Sequence, residues 1–172
     1  KDAPSKFIQY SDYFCSFCES VHEAVADKDF KTRYIDSGKI SHEIRIVTML
    51  SSVSPNTEQG AEAAYCAADQ KKFSEYSNSI IPRIKKEFFD KGIGVKNVAN
   101  PVPIAKLTLE YFTESAREVG MDTEEFSSCM TNETHKKEIA DNTNRAIRVG
   151  VTGLPALVVN DYVSSSGFAG GY

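Results

Sequence analysis

The sequence contains no tryptophan, only 4 cysteines and 3 methionines, and no apolar run near the roughly 20 residues a membrane-spanning helix needs. A helical membrane span is thereby excluded. Four cysteines in 172 residues are too few for a disulfide scaffold. Basic residues do not dominate: 20 Lys and Arg stand against 24 Asp and Glu, and a pI near 5.4 argues against the basic face of a nucleic-acid binder. There is no internal repeat and no low-complexity segment. The chain opens on Lys1 without a positive, apolar, small-residue leader, so it reads as a processed mature protein with its signal peptide removed, or as a trimmed one. Its Gly-rich end, residues 164–172, stops without a closing helix and reads as a truncation. What is present suffices for one folded domain. The chain is 41% apolar, with 10 phenylalanines and 8 tyrosines, enough to bury a core and too much for a disordered segment.

Residues 6–10 (KFIQY) read as a strand and 11–14 as a turn. From Cys15 onward, Cys18, Val21 and Val25 recur at helical spacing until Ser37-Gly38. Residues 43–50 (EIRIVTML) become continuously apolar, which predicts a central strand. An Ala-rich helix follows over 57–70, with Ala61, Ala64, Tyr65 and Ala68 on one face. Phe73, Tyr76 and Ile80 mark the next helix, with Pro82 as a bend or a helix start. Residues 91–103 read as a loop, and 104–120 as a helix stopped by Gly120. Asp122 caps a short helix to Met130, with Glu125 placed to complete a capping box. The helix over 131–149 shows Ile139, Ala146 and Ile147 on its apolar face. Residues 156–160 (ALVVN) and a final stretch after Asp161-Tyr162 read as strands. The order is β-α-β, a long helical stretch, then β and β. It predicts an α/β fold, with residues 1–55 and 131–172 as the core, the 131–149 helix bridging, and an all-helical insertion over 56–130.

Cys15-Ser16-Phe17-Cys18 lies where a strand turns into a helix. A helix N-terminus offers unpaired N–H groups and about half a positive charge, which stabilises a thiolate and lowers its pKa below about 8.5. Two intervening residues let the sulfurs close a small ring, with Cys15 as the exposed attacking thiol and Cys18 the more buried one. A zinc knuckle would need a second close pair, whereas Cys66, Cys129, His22, His42 and His135 are scattered along the chain. No metal and no cofactor are expected, and the strand–turn–helix context favours redox chemistry. Far downstream, Thr152-Gly153-Leu154-Pro155 precedes an apolar strand, where a proline belongs at the strand's start.

The blocks FIQYSDYFCSFC, EAAYCAADQKKF and VGVTGLPALVVN together span residues 7–160. In them the chain resembles the DsbA-like thiol:disulfide oxidoreductases of the thioredoxin superfamily. The resemblance implies a thioredoxin fold with an inserted all-helical subdomain. Pro155 would be a cis-proline lying against the CxxC, and the backbone of Leu154 would pair with an extended substrate. It also implies an enzyme of the extracytoplasmic space or periplasm that introduces disulfides into unfolded or reduced exported proteins. A membrane quinone-linked partner would reoxidise it, and neither nucleic acid nor a membrane span would be involved. Cys66 and Cys129, each on an apolar helix face, are either two buried free cysteines or, as in some relatives, a structural disulfide, which the oxidising compartment favours. Phe14 and Phe17 are candidates for an apolar substrate-binding rim, with the core as the competing place for both. The most oxidising members carry histidine where this chain has Phe17, so a less extreme potential is expected. Gln9 stands where the superfamily often has a buried acid. The alternatives are a reductase or isomerase, or a non-enzymatic metal-binding or adaptor protein on the same fold.

Overall fold

A computed structural model of the chain describes residues 3–94 and 102–166. Most of the loop expected over 91–103, and the Gly-rich end past residue 166, lie outside the described residues.

Four strands form one sheet in the order β2-β1-β3-β4. Strand β1 (Ser5–Ser11) runs parallel to β2 (Ile40–Ile46), from Ser5 opposite Ile40 to Ser11 opposite Ile46. Its other edge pairs antiparallel with β3 (Ala156–Val159), from Phe7 opposite Val159 to Tyr10 opposite Ala156. Strand β4 (Tyr162–Ser166) closes the far edge against β3. Successive residues of a strand face opposite sides of the sheet, and both Gln9 and Tyr10 are almost fully buried. Strand β1 is therefore covered on both faces, and its end delivers the CxxC. The β3–β4 turn uses Asn160 and Asp161 at φ 47° and 72°, a conformation Asn and Asp tolerate.

The apolar run at 43–50 is not a central strand. Strand β2 ends at Ile46 and, among the described residues, pairs only with β1, at an edge. The rest of the run is apolar for another reason. Val47 is fully buried and joins Cys15 and Cys18 in one cluster, with Met49 and Leu50 packed against it. A packed loop and a buried strand leave the same apolar signature in sequence.

Helix α1 (Ser16–Ala26) follows the CxxC loop and breaks at Asp27, whose carboxylate caps the short α2 (Lys28–Phe30) and leads into a wide turn over Lys31–Asp36. Helices α3 (Thr57–Asp69), α4 (Phe73–Glu87), α5 (Leu109–Glu118) and α6 (Thr123–Thr131) come between β2 and α7 (Lys136–Arg148). Pro82 neither bends the chain into a loop nor starts a helix; it sits inside α4. Helix α5 starts at Leu109 rather than 104, capped by Thr108. The segment before it is held as a loop by Asn56, whose amide donates to the Ile104 and Ala105 carbonyls at 3.3 and 3.0 Å and accepts from the Leu107 N–H at 2.8 Å. The capping box at Asp122 forms in one direction. Its carboxylate accepts from the Glu124 and Glu125 N–H groups, but its own N–H goes to Gln70 at 2.9 Å. On α7, Ile139 and Ala146 are buried, whereas Ile147 is exposed.

Two apolar clusters result. The larger joins α3 to α6 and takes in Tyr13, Phe14 and Ile46 from the sheet side. The smaller sits at the end of the sheet and contains Tyr10, Cys15, Cys18, Val47, Val151, Leu154 and Ala156.

Candidate active site

The register of β1 and β3 places the CxxC. Ala156 pairs with Tyr10, so the residue before it, Pro155, lies beside the end of β1 where the chain turns into Cys15. The Leu154–Pro155 peptide is cis. Leu154, 6% exposed, packs in the same cluster as Cys15 and Cys18. Two stretches some 140 residues apart in sequence thus meet at one end of the sheet.

Cys15 is the N-cap of α1, and Cys15 and Cys18 are joined by a disulfide. The Cys15 Sγ accepts the Cys18 N–H at 3.2 Å, and the Cys15 carbonyl accepts the same N–H at 3.0 Å. On reduction that N–H and the helix N-terminus would favour a thiolate on Cys15. The sequence expectation that Cys15 is the exposed member needs correction: with the disulfide closed, Cys15 is 3% exposed and Cys18 2%. Val151 and Leu154 belong to the same apolar cluster as the two cysteines, and the half-buried Phe17 packs against it.

The aromatic neighbours divide. Phe17 stays half-buried against the sulfur cluster. Phe14 does not belong to a rim. It is 1% exposed, sits edge-on to Phe112 at 6.3 Å between centroids, and abuts Gly60 of α3. Backbone direction decides the matter: the turn before Cys15 sends Tyr13 and Phe14 into the helical cluster. There the Tyr13 hydroxyl meets the Ser77 hydroxyl at 2.7 Å. Gln9 is buried and neutral, with no hydrogen-bond partner for its amide among the described residues.

Two acidic groups lie near the motif, and the first of them, Asp12, was not legible as such in sequence. Asp12, 2% exposed, lies three residues before Cys15, and its backbone carbonyl accepts the Cys15 N–H at 3.1 Å. One carboxylate oxygen accepts the Phe14 N–H at 2.8 Å. Burial pushes its pKa up to about 6, against the opposing pull of the Phe14 N–H and of Thr57 at the start of α3. The available signal was an aspartate inside an aromatic-rich turn, between Tyr10 and Tyr13-Phe14. Glu19, next to Cys18, is largely buried and pairs with Lys85 of α4 at 2.7 Å; Lys85 also reaches Glu23 at 3.0 Å. Burial raises the Glu19 pKa, with Lys85 opposing it, and the two carboxylates hold the Lys85 ammonium well above its ordinary range. In sequence, Glu19 is equally open to a role beside the CxxC and to a surface helix position, and its pairing partner is 66 residues away. His22 bonds Asn78 at 2.9 Å and His42 stacks on Phe7, so neither belongs to the redox motif.

Among the described residues, no helix is long and apolar enough to cross a membrane. A family model described as Thioredoxin matches residues 1–167. No curated protein matches the sequence. Among solved structures, the chain is similar to BdbD from Bacillus subtilis, at 16% identity and a TM-score of 0.72, covering 95% of this chain and 80% of that one. It is similar to MdbA, a thiol-disulfide oxidoreductase from Corynebacterium diphtheriae, at 19% identity and a TM-score of 0.72, covering 96% and 79%. A thioredoxin-like oxidoreductase from Silicibacter pomeroyi matches at 21% identity and a TM-score of 0.67, covering 97% and 80%. With the sheet order, the CxxC at the start of α1 and the cis-proline before β3 already in place, the match over residues 1–167 means that the chain belongs to the thioredoxin family and shares the fold of its DsbA-type structures.

Proposed function

We propose that the protein is a DsbA-like thiol:disulfide oxidase that introduces disulfides into exported proteins by exchange at Cys15–Cys18. The observation that carries this reading is the cis Leu154–Pro155 peptide packed in one cluster with a CxxC disulfide at a helix N-terminus. A substrate thiolate attacks Cys15 Sγ, the Cys15–Cys18 bond breaks, and Cys18 leaves as a thiolate. The substrate's second thiolate then attacks its own sulfur in the mixed disulfide and expels Cys15. Two electrons pass from substrate to enzyme, the substrate gains a disulfide, and the enzyme is left as a dithiol. The Cys18 N–H and the α1 terminus stabilise the Cys15 thiolate, which favours the reduced enzyme and drives oxidation of the substrate.

The backbone of Leu154 pairs with an extended substrate segment, and Phe17 supplies an apolar contact beside the sulfurs. The enzyme works in the periplasm or another extracytoplasmic space, and a membrane quinone-linked partner returns it to the disulfide. Residues 56–130 form a helical insertion in a core made of 1–55 and 131–172, with Cys66–Cys129 as a structural disulfide inside the insertion. The test is the potential of the Cys15–Cys18 couple, with Cys15→Ser as the control. A value toward about −120 mV fits an oxidase, whereas one near about −270 mV would identify a reductase and overturn the assignment.

A further inference from the structure

Cys66, Cys129 and His135 are scattered in sequence, but the fold brings them together. A sulfur of each cysteine and a ring nitrogen of His135 all lie within 4.8 Å of one another. Cys66 and Cys129 are joined by a disulfide between α3 and α6, with their Cα atoms 5.9 Å apart. His135 enters from the turn that opens α7. A fourth donor stands beside them. Glu62, one turn before Cys66 on α3, holds its Oε1 3.9 Å from Cys66 Sγ and accepts the His135 N–H at 2.7 Å. Asp69, on the same helix, meets His135 Nε2 at 2.7 Å, the carboxylate–imidazole pairing that orients histidine ligands in metal sites. The cluster is sheltered: the His135 side chain is 14% exposed and Cys66 is 1% exposed.

We propose that the Cys66–Cys129 disulfide, once opened by a dithiol reductant, becomes a site for a zinc-class divalent cation, with the two thiolates, a His135 ring nitrogen and the Glu62 carboxylate as ligands. The dithiol gives two electrons to the disulfide and is itself oxidised to a disulfide. The two thiols formed release two protons as they bind the cation. Tetrahedral zinc with Zn–S near 2.3 Å needs sulfurs roughly 3.8 Å apart, a separation that side-chain rotation supplies at the observed Cα spacing. Two thiolates and an imidazole select zinc over calcium or magnesium. The junction of α3, α6 and α7 thereby has two cross-links in the same place, a disulfide under oxidising conditions and a metal under reducing ones. The proposal does not depend on the chemistry of Cys15–Cys18.

The test uses the full chain carrying Cys15→Ser and Cys18→Ser, so that Cys66 and Cys129 are its only pair. It is reduced with a phosphine, freed of reductant without oxygen, and titrated with Co2+ as the optical probe for zinc. The expected result is an equimolar cobalt complex with a thiolate-to-metal absorption band, displaced by Zn2+ and absent from the oxidised chain. Asp69→Asn should weaken it about tenfold, and His135→Ala by more, with a changed visible spectrum. Circular dichroism on the same samples covers unfolding on reduction: a reduced chain that loses its helices must regain them with zinc. A reduced chain that binds no cobalt, that binds it equally well without His135, or that zinc does not refold overturns the proposal.

Discussion

Asp12→Asn should make the protein more stable at neutral pH. The Asp12 carboxyl is fully enclosed, and its pKa is pushed from 3.8 to about 6 chiefly by burial. The folded chain holds this proton to about pH 6, whereas the unfolded chain releases it near 3.8. Between those values the folded state binds more protons, so stability falls as pH rises; the loss begins near pH 4 and is complete above about 6 to 7. At about 1.4 kcal/mol per pH unit, the gap between 3.8 and about 6 corresponds to about 3 kcal/mol at pH 7. Asparagine keeps an oxygen that can accept the Phe14 N–H, now held at 2.8 Å, but carries no charge. Urea unfolding of both oxidised proteins, from pH 4 to pH 8, isolates the effect, because every other titrating group is common to the two. The stability difference should grow in favour of Asp12→Asn by up to about 3 kcal/mol across this window, or roughly 6–12 °C in Tm at this chain length. Parallel stability curves would refute the account of Asp12 as a buried, ionised cost.

Cys18→Ser should halt the reverse exchange half-way: the Cys15 thiolate attacks the disulfide of an oxidised substrate peptide, one peptide sulfur leaves as a thiolate, and with no Cys18 thiol to resolve it the mixed disulfide accumulates on non-reducing gels; a complex linked elsewhere would count against Cys15 as the exchanging sulfur. Replacing Cys66 and Cys129 together by serine opens a link across a sequence separation of 63 and should cost about 4 kcal/mol in urea unfolding, while leaving the Cys15–Cys18 potential unchanged. Gly60→Ala would place a Cβ 2.8 Å from a ring carbon of the buried Phe14. It should destabilise the protein by about 1–3 kcal/mol by overpacking, despite the better helix propensity of alanine, and unchanged stability would mean that the ring moves freely.

Local rules were legible wherever short-range chemistry decides the backbone. The CxxC at the start of α1, the Asp122 cap and the Gly120 stop at φ 70° all follow from spacing and capping, and the structure has them; on α3 Ala61 and Ala64 are buried as expected, but Ala68 is exposed and Ala63, Cys66 and Ala67 are buried in its stead. The misreadings are of one kind. The 43–50 run was apolar for loop packing as well as for a strand, Phe14 was aromatic for the core rather than for a rim, and Pro82 is accommodated within α4. In each case residue type states that a side chain seeks an apolar neighbour or a fixed φ, but not which neighbour it finds.

By itself the sequence determined the element order, the CxxC pair and its place at a helix N-terminus, because an α-helix start and a two-residue spacing are local facts. Only the tertiary structure decided what those sulfurs meet. Pairing of Tyr10 with Ala156 sets the cis Leu154–Pro155 peptide beside Cys15. Packing of α4 on α1 sets Lys85 on Glu19. The junction of α3, α6 and α7 gathers Cys66, Cys129 and His135 into one cluster. The physical reason is common to all three: each is a contact between residues far apart in the chain, which no sequence spacing encodes, and the burial that shifts the Glu19 pKa and the proximity that gives His135 its partner arise only from such contacts.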